Sequence, residues 1–149
     1  MLEKVPRPVG AAMKGLRSGM GAAASSGVLS ALPDNLLLHS PLFEQGGLIP
    51  ARCTADGEGQ IPELEWNEPT PRTVSLVLLV EDADSPTPQP LVHCIIFGLS
   101  PAARYLPPSN VSYGKNSFLK SDWLAPDPPT GHGEHRYVFQ LYALRPSGL

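Results

Sequence analysis

Three stretches of the chain are apolar almost without interruption. "TVSLVLLVED" (73–82) is apolar on both faces from Val74 to Val80, the pattern of a strand buried between two neighbours. "LVHCIIFGL" (91–99) reads the same way. "HRYVFQLYAL" (135–144) predicts a third strand, with Tyr137, Phe139, Leu141 and Ala143 on one face and Val138, Gln140 and Tyr142 on the other. "NLLLHSPLF" (35–43) predicts a further strand, and Asp56, Gly57 and Gly59 mark a loop within "TADGEGQIPELEW". Between Ser100 and Glu134 runs a long proline-rich segment with little periodicity, predicted to be an ordered loop packed across one end of a sheet. Residues 1–33 form a leader, either flexible or a short helix, since Val9, Met13, Leu16 and Met20 fall near helical spacing. Pro33-Asp34 then opens a single domain over 34–149.

Composition sharpens this picture. The 149 residues suffice for one domain with a real core and are too few for two. Eighteen prolines and 14 glycines among β-branched runs point to strands joined by rigid loops, a mostly β chain with short helical pieces. A formal net charge of −3 argues against nucleic acid as the main partner. The charge is uneven: Lys4, Arg7, Lys14 and Arg17 stand against Glu3 in the leader, while acids outnumber bases in the remainder. That basic leader could meet a membrane surface, an acidic partner or the protein's own body. Cys53 and Cys94 form neither a disulfide framework nor a zinc motif and read as buried thiols. No run approaches the roughly 18 apolar residues of a membrane span, and the leader lacks the apolar core of a secretory signal. The expected location is the cytoplasm.

Chemistry concentrates around "EDADSPTPQPLVH" (81–93), an acidic, proline-stiffened corner between two apolar strands. If those strands are neighbours, Asp82 and Asp84 reach the sheet end that His93 enters. The strand starting at His135 brings a second imidazole and Tyr137 to the same place, with Pro86, Pro128 and Pro129 as rigid walls. An Asp beside a His fixes the imidazole tautomer and favours its charged form. Two such histidines make a receptor for a small anion such as phosphate or carboxylate. Each histidine also has an ordinary structural reading, and His39 and His132 are left with it. Arg136 is expected to pair with a structural carboxylate, and Asp84 has a second reading as a turn cap.

"DADSP" (82–86), the following His93, "GKNSF" (114–118) and "PDPPTGHGEHRYVFQLYAL" (126–144) together resemble the phosphatidylethanolamine-binding protein family. The bacterial branch, often called Raf kinase inhibitor-like, is the nearest in pattern, with "IPARCTADGEGQIPELEW" as a supporting match. The likeness spans residues 40–144. It implies a β-sandwich with an anion pocket at one end, with Asp82 and His93 as its first aspartate and histidine, and His135 and Tyr137 as its second histidine and aromatic. It also implies a turn at Pro86 that is cis in some members. Three departures stand out. Ala83 replaces a proline, Asp127 sits where the family has small residues and would repel an anion, and the chain ends at Leu149, so the sandwich reads as shortened at its C-terminus.

The leading expectation is therefore a non-enzymatic binding module for a small anion, a phosphoethanolamine-like head group included. It needs no cofactor and regulates a partner such as a kinase or protease; a homodimer fits the resemblance. One alternative is a hydrolase using His93, His135, Asp82 and Asp84 around a metal, although no H-E-x-x-H or G-x-S-x-G motif is present. Another is an inhibitor-like protein scaffold with a vestigial pocket.

Overall fold

The computed structural model describes residues 16–26, 35–108, 111–128 and 131–146. Six strands follow in order: β1 (Leu64–Glu65), β2 (Ser75–Asp82), β3 (Leu91–Leu99), β4 (Tyr105–Leu106), β5 (Ser112–Tyr113) and β6 (Tyr137–Leu144). They form two antiparallel sheets, one of β1 and β4 and a larger one in the order β5-β3-β2-β6. Helical pieces among the described residues are single 3-10 turns at Met20–Ala22, Ala24–Ser26 and Ala51–Cys53.

As its apolar faces predict, β2 lies between β3 and β6. Leu76, Leu78 and Val80 of β2 oppose Ala143, Leu141 and Phe139 of β6. Directly opposed residues share a face, so these six line one side of the sheet. Cys94 and Ile96 of β3 join them, and Leu64, Trp66 and Leu106 pack in from the smaller sheet. The core therefore lies between the sheets, with Trp123 among its members.

The predicted strand over 35–43 is shorter in pairing than in pattern. Leu36 and Leu38 pack against the core while Leu37 is exposed, so the chain is extended there. Only His39 bridges, to Glu65, and Pro41 has no N–H with which to lengthen the ladder. Two short strands, β4 and β5, emerge from the segment predicted as one long loop. The residues from Val9 to Gly15, Pro33-Asp34 and Pro129 lie outside the described residues. The described part of the leader holds two 3-10 turns and packs on the β2–β3 corner: Ser18 and Gly19 donate backbone N–H groups to Ser85 and Ala83 carbonyls, and Ala24 donates to Glu81 Oε1.

Strand register decides where the histidine goes. Val80 pairs with Cys94 and Glu81 with Val92, which leaves His93 as the extra residue of a β-bulge. In a regular strand His93 and Cys94 would take opposite faces; the bulge lets both be buried, at 4% and 0% exposure. A bulge that turns a polar side chain inward is a common device beside binding sites.

The corner after β2 is held by charge. Asp84, buried, accepts from Arg136 Nε and Nη2 at 2.9 Å each and from the Arg136 backbone N–H at 2.7 Å, and Arg17 Nη1 lies 3.4 Å away. The Arg136 hydrogen bonds, working against burial, lower the carboxyl from 3.8 to about 2. Asp82 Oδ1 accepts the Asp84 N–H at 2.8 Å, tightening the turn. Pro86 follows this turn, and the cis bond among the described residues is Leu106–Pro107 rather than Ser85–Pro86.

Two outcomes follow for stability. Leu78→Ala should lower the unfolding free energy by about 3 kcal/mol, whereas exposed Leu48→Ala should stay within about 0.5 kcal/mol; urea midpoints measure both. Asp84 has a depressed folded value, so its contribution is complete above about pH 4 and is lost as pH falls toward 2. Because Arg136 is largely solvent-exposed, that contribution is at most about 2 kcal/mol. The stability gap between parent and Asp84→Asn should be open at pH 6 and closed near pH 2. A gap constant across that range would show that the ion pair does not supply it.

Candidate functional site

His93 is clamped on one edge. Its Nδ1–H donates to the Leu124 carbonyl at 2.7 Å, and the Leu124 N–H returns a bond to the His93 carbonyl at 2.8 Å. The loop carrying Leu124 is itself fixed. Ser117 exchanges bonds with Val92, Asn116 holds Asp122 at 2.9 Å, and Trp123 Nε1 donates to the Cys53 carbonyl at 3.0 Å. With Nδ1 committed, Nε2 is the nitrogen left over. It is buried with no hydrogen-bond partner among the described residues. Burial pushes the His93 pKa down, opposed by the Leu124 carbonyl and Asp82, so the resting ring is neutral and Nε2 presents a lone pair. Leaving such an atom unmet costs about 1–3 kcal/mol, a cost that binding sites commonly carry.

Tyr137 stands beside it, its ring edge-on to His93 with centroids 5.1 Å apart and 6.4 Å from His135. Register explains this, because Tyr137 is directly opposite Asp82 across the β2–β6 pair. Burial, with Asp82, Asp127 and Asp84 nearby, drives the Tyr137 hydroxyl well above its ordinary value, so it remains a phenol. Trp123 completes the aromatic wall at 6.4 Å from His93.

From Asp82 a row of hydrogen bonds leads to the leader. Asp82 Oδ2 meets His135 Nδ1 at 2.6 Å, His135 Nε2 meets His132 Nδ1 at 2.6 Å, and His132 Nε2 meets the Leu16 carbonyl at 3.1 Å. A carbonyl oxygen only accepts, so His132 Nε2 carries the hydrogen of the last bond. Each of the other two bonds needs one hydrogen as well. The row thereby ties the Asp82 carboxylate to the leader backbone through two imidazoles.

Of the predicted site residues, the structure thus brings Asp82, His93, His135 and Tyr137 together. Asp84 lies close by, but its oxygens belong to Arg136 and Arg17, which matches the structural pairing expected for Arg136. Pro86 lies on the corner and Pro128 is half-buried beside Asp127; Pro129 is outside the described residues. Cys53 and Cys94 are free and buried, and burial raises both thiols, Cys94 to about 12. No group of three metal-ligating side chains is arranged to hold an ion among the described residues. Sequence reading left His132 with a structural role and did not single out Trp123, the Leu124 carbonyl or the Leu16–Arg17 contacts. The only signal for His132 was its spacing, three residues before His135 between two glycines.

The chain is similar to known proteins over most of its length. The phosphatidylethanolamine-binding protein family profile matches residues 39–148. A UPF0098 protein of Aquifex aeolicus is 31% identical over 120 residues, covering 75% of this chain and 70% of that protein. The UPF0098 protein Mb1945c of Mycobacterium bovis is 35% identical over 115 residues, 74% of this chain but only 55% of its own length. Among solved structures, the putative phosphatidylethanolamine-binding protein homolog CT736 of Chlamydia trachomatis superposes with a TM-score of 0.69 at 31% identity, covering 75% of this chain and 76% of that one. E. coli YbcL, described as a member of the mammalian family, also scores 0.69 over 78% of this chain and 80% of its own, and at 22% identity it speaks for the fold alone. The mostly β fold, the two antiparallel sheets and these matches place the chain in the phosphatidylethanolamine-binding protein family.

Proposed function

We propose that this chain is a non-enzymatic binding module that takes a small anion, phosphate or carboxylate, between His93 and His135, and that ligand occupancy regulates a partner protein. The observation that carries the reading is the buried, unpartnered Nε2 of His93 beside the Asp82-braced His135. A neutral His93 cannot donate from Nε2, so an anion binds there together with a proton. The charged ring then donates from both nitrogens, to Leu124 and to the ligand. Asp82, His135 and the Tyr137 phenol are the groups that face this ring and set the cost of charging it. Membership of a family named for binding a phosphate-bearing lipid supports the same ligand chemistry. A hydrolase reading gains nothing from Asp84, whose carboxylate is engaged by arginine.

Amide NMR titration with inorganic phosphate should give saturable shifts at His93, Leu124 and Tyr137. His93→Ala should weaken binding by about 10- to 150-fold, the worth of a charged hydrogen bond of about 1.5–3 kcal/mol. Sulfate, whose charge is constant near neutrality, should bind with uptake of a proton. Its affinity should fall as pH rises from 6 to 8, by up to about tenfold per unit, because burial keeps the folded His93 pKa low. Sulfate affinity independent of pH, or unchanged in His93→Ala, would remove His93 from the site.

A further inference from the structure

The site is occupied by the chain itself. His135 has a fully buried side chain and no nitrogen to offer: Nδ1 is held by Asp82 and Nε2 by His132. The imidazole of His132 sits where a ligand reading His135 would have to sit, edge-on to it at 4.7 Å between centroids and itself 0% exposed. Resting on the anion reading above, we propose that His132 is a displaceable internal plug of the site and that the leader latches it, so that leader docking and anion binding at His135 exclude one another.

Both ends of the plug are tied to the leader. The Leu16 carbonyl accepts from His132 Nε2 at 3.1 Å. Arg17 donates to the His132 carbonyl at 2.8 Å and to the Glu134 carbonyl at 2.9 Å, so it clasps the backbone on either side of Gly133. Gly131 and Gly133, at φ 84° and 102°, flank His132 in a conformation that side-chain-bearing residues rarely adopt. Backbone freedom of this kind lets the imidazole between them swing out with little rearrangement elsewhere. When it leaves, His135 stays bonded to Asp82 through Nδ1, and its Nε2 faces the vacated space as a nitrogen that can donate. His93 Nε2 is the second donor there once it takes up its proton. An anion thus takes the place of His132 Nδ1 as the partner of His135 Nε2. The apparent affinity is the intrinsic affinity reduced by the fraction of molecules with the plug withdrawn.

The test measures inorganic phosphate affinity and amide hydrogen exchange on the whole 149-residue chain, on Arg17→Ala and on His132→Ala. Arg17→Ala should bind phosphate about tenfold more tightly, the gain expected if about one molecule in ten is open in the parent. The sign is diagnostic, because losing a nearby cation would by simple electrostatics weaken an anion's binding. In the parent, saturating phosphate should speed exchange at Ser18, Gly19 and Ala24, whose N–H groups bond Ser85, Ala83 and Glu81. Phosphate that binds the parent without loosening these amides, and binds Arg17→Ala equally or more weakly, overturns the plug and leaves the anion site standing. No phosphate binding by any of the three proteins overturns the anion reading and the plug with it. Should His132→Ala fail to fold, the Arg17→Ala affinity and the parent's exchange decide alone.

Discussion

The end of β2 carries two carboxylates, Asp82 and Asp84, each 2% exposed, and the rest of the corner is arranged around the need to satisfy them. A buried charge left unmatched costs several kcal/mol. Two consecutive residues answer it: His135 meets Asp82, and Arg136 meets Asp84 with side chain and backbone together. The β2–β6 register, with Asp82 opposite Tyr137, brings that dipeptide to the right height. The two acids then diverge in role. Asp84 meets a permanently charged guanidinium and becomes a fixed structural ion pair, whereas Asp82 meets an imidazole, whose proton can be shared onward.

His93 depends on a different constraint, the bulge opposite Glu81. Without that extra residue, strand alternation would place His93 and Cys94 on opposite faces. With it, Cys94 remains in the core, and His93 joins Tyr137 and Trp123. The loop from Asn116 to Leu124 then makes the ring's orientation definite by consuming Nδ1 and leaving Nε2. Site geometry therefore comes from two local irregularities at this end of the sheet, a bulge in β3 and a tight acidic turn after β2.

Much of this was legible in the sequence. Long apolar runs gave the three long strands, although only one face of the sheet packs into the core, and β3 kept the bounds 91–99. Asp82, His93, His135 and Tyr137 could be grouped once the strands were taken as neighbours. Pairing partners were less accessible. Two-residue strands such as β4 and β5 carry no period to detect, and a lone bridge at His39 cannot be told from a strand by alternation alone. The bulge was hidden because nothing in "VHC" marks an unpaired residue. The contacts of His132 were hidden for the same reason, since one of them reaches Leu16, 116 residues away.

The leader shows how charge and backbone chemistry combine. A basic segment facing an acidic body could have been drawn to any anionic surface, and Arg17 in fact approaches Asp84 at 3.4 Å. Two of its hydrogen bonds, however, go to the carbonyls of His132 and Glu134, acceptors that a point-charge argument would miss. Further along, buried Glu81 accepts from the Ala24 N–H and from Gln140, whose own oxygen is met by Tyr142. Glu81, Gln140 and Tyr142 lie on the face of the larger sheet away from the core, and Glu81 bonds the described part of the leader there. One short segment is thus bonded both to the outer face of the sheet and, through Leu16 and Arg17, to the histidine row at its end. Any event that lifts it must be felt at both places.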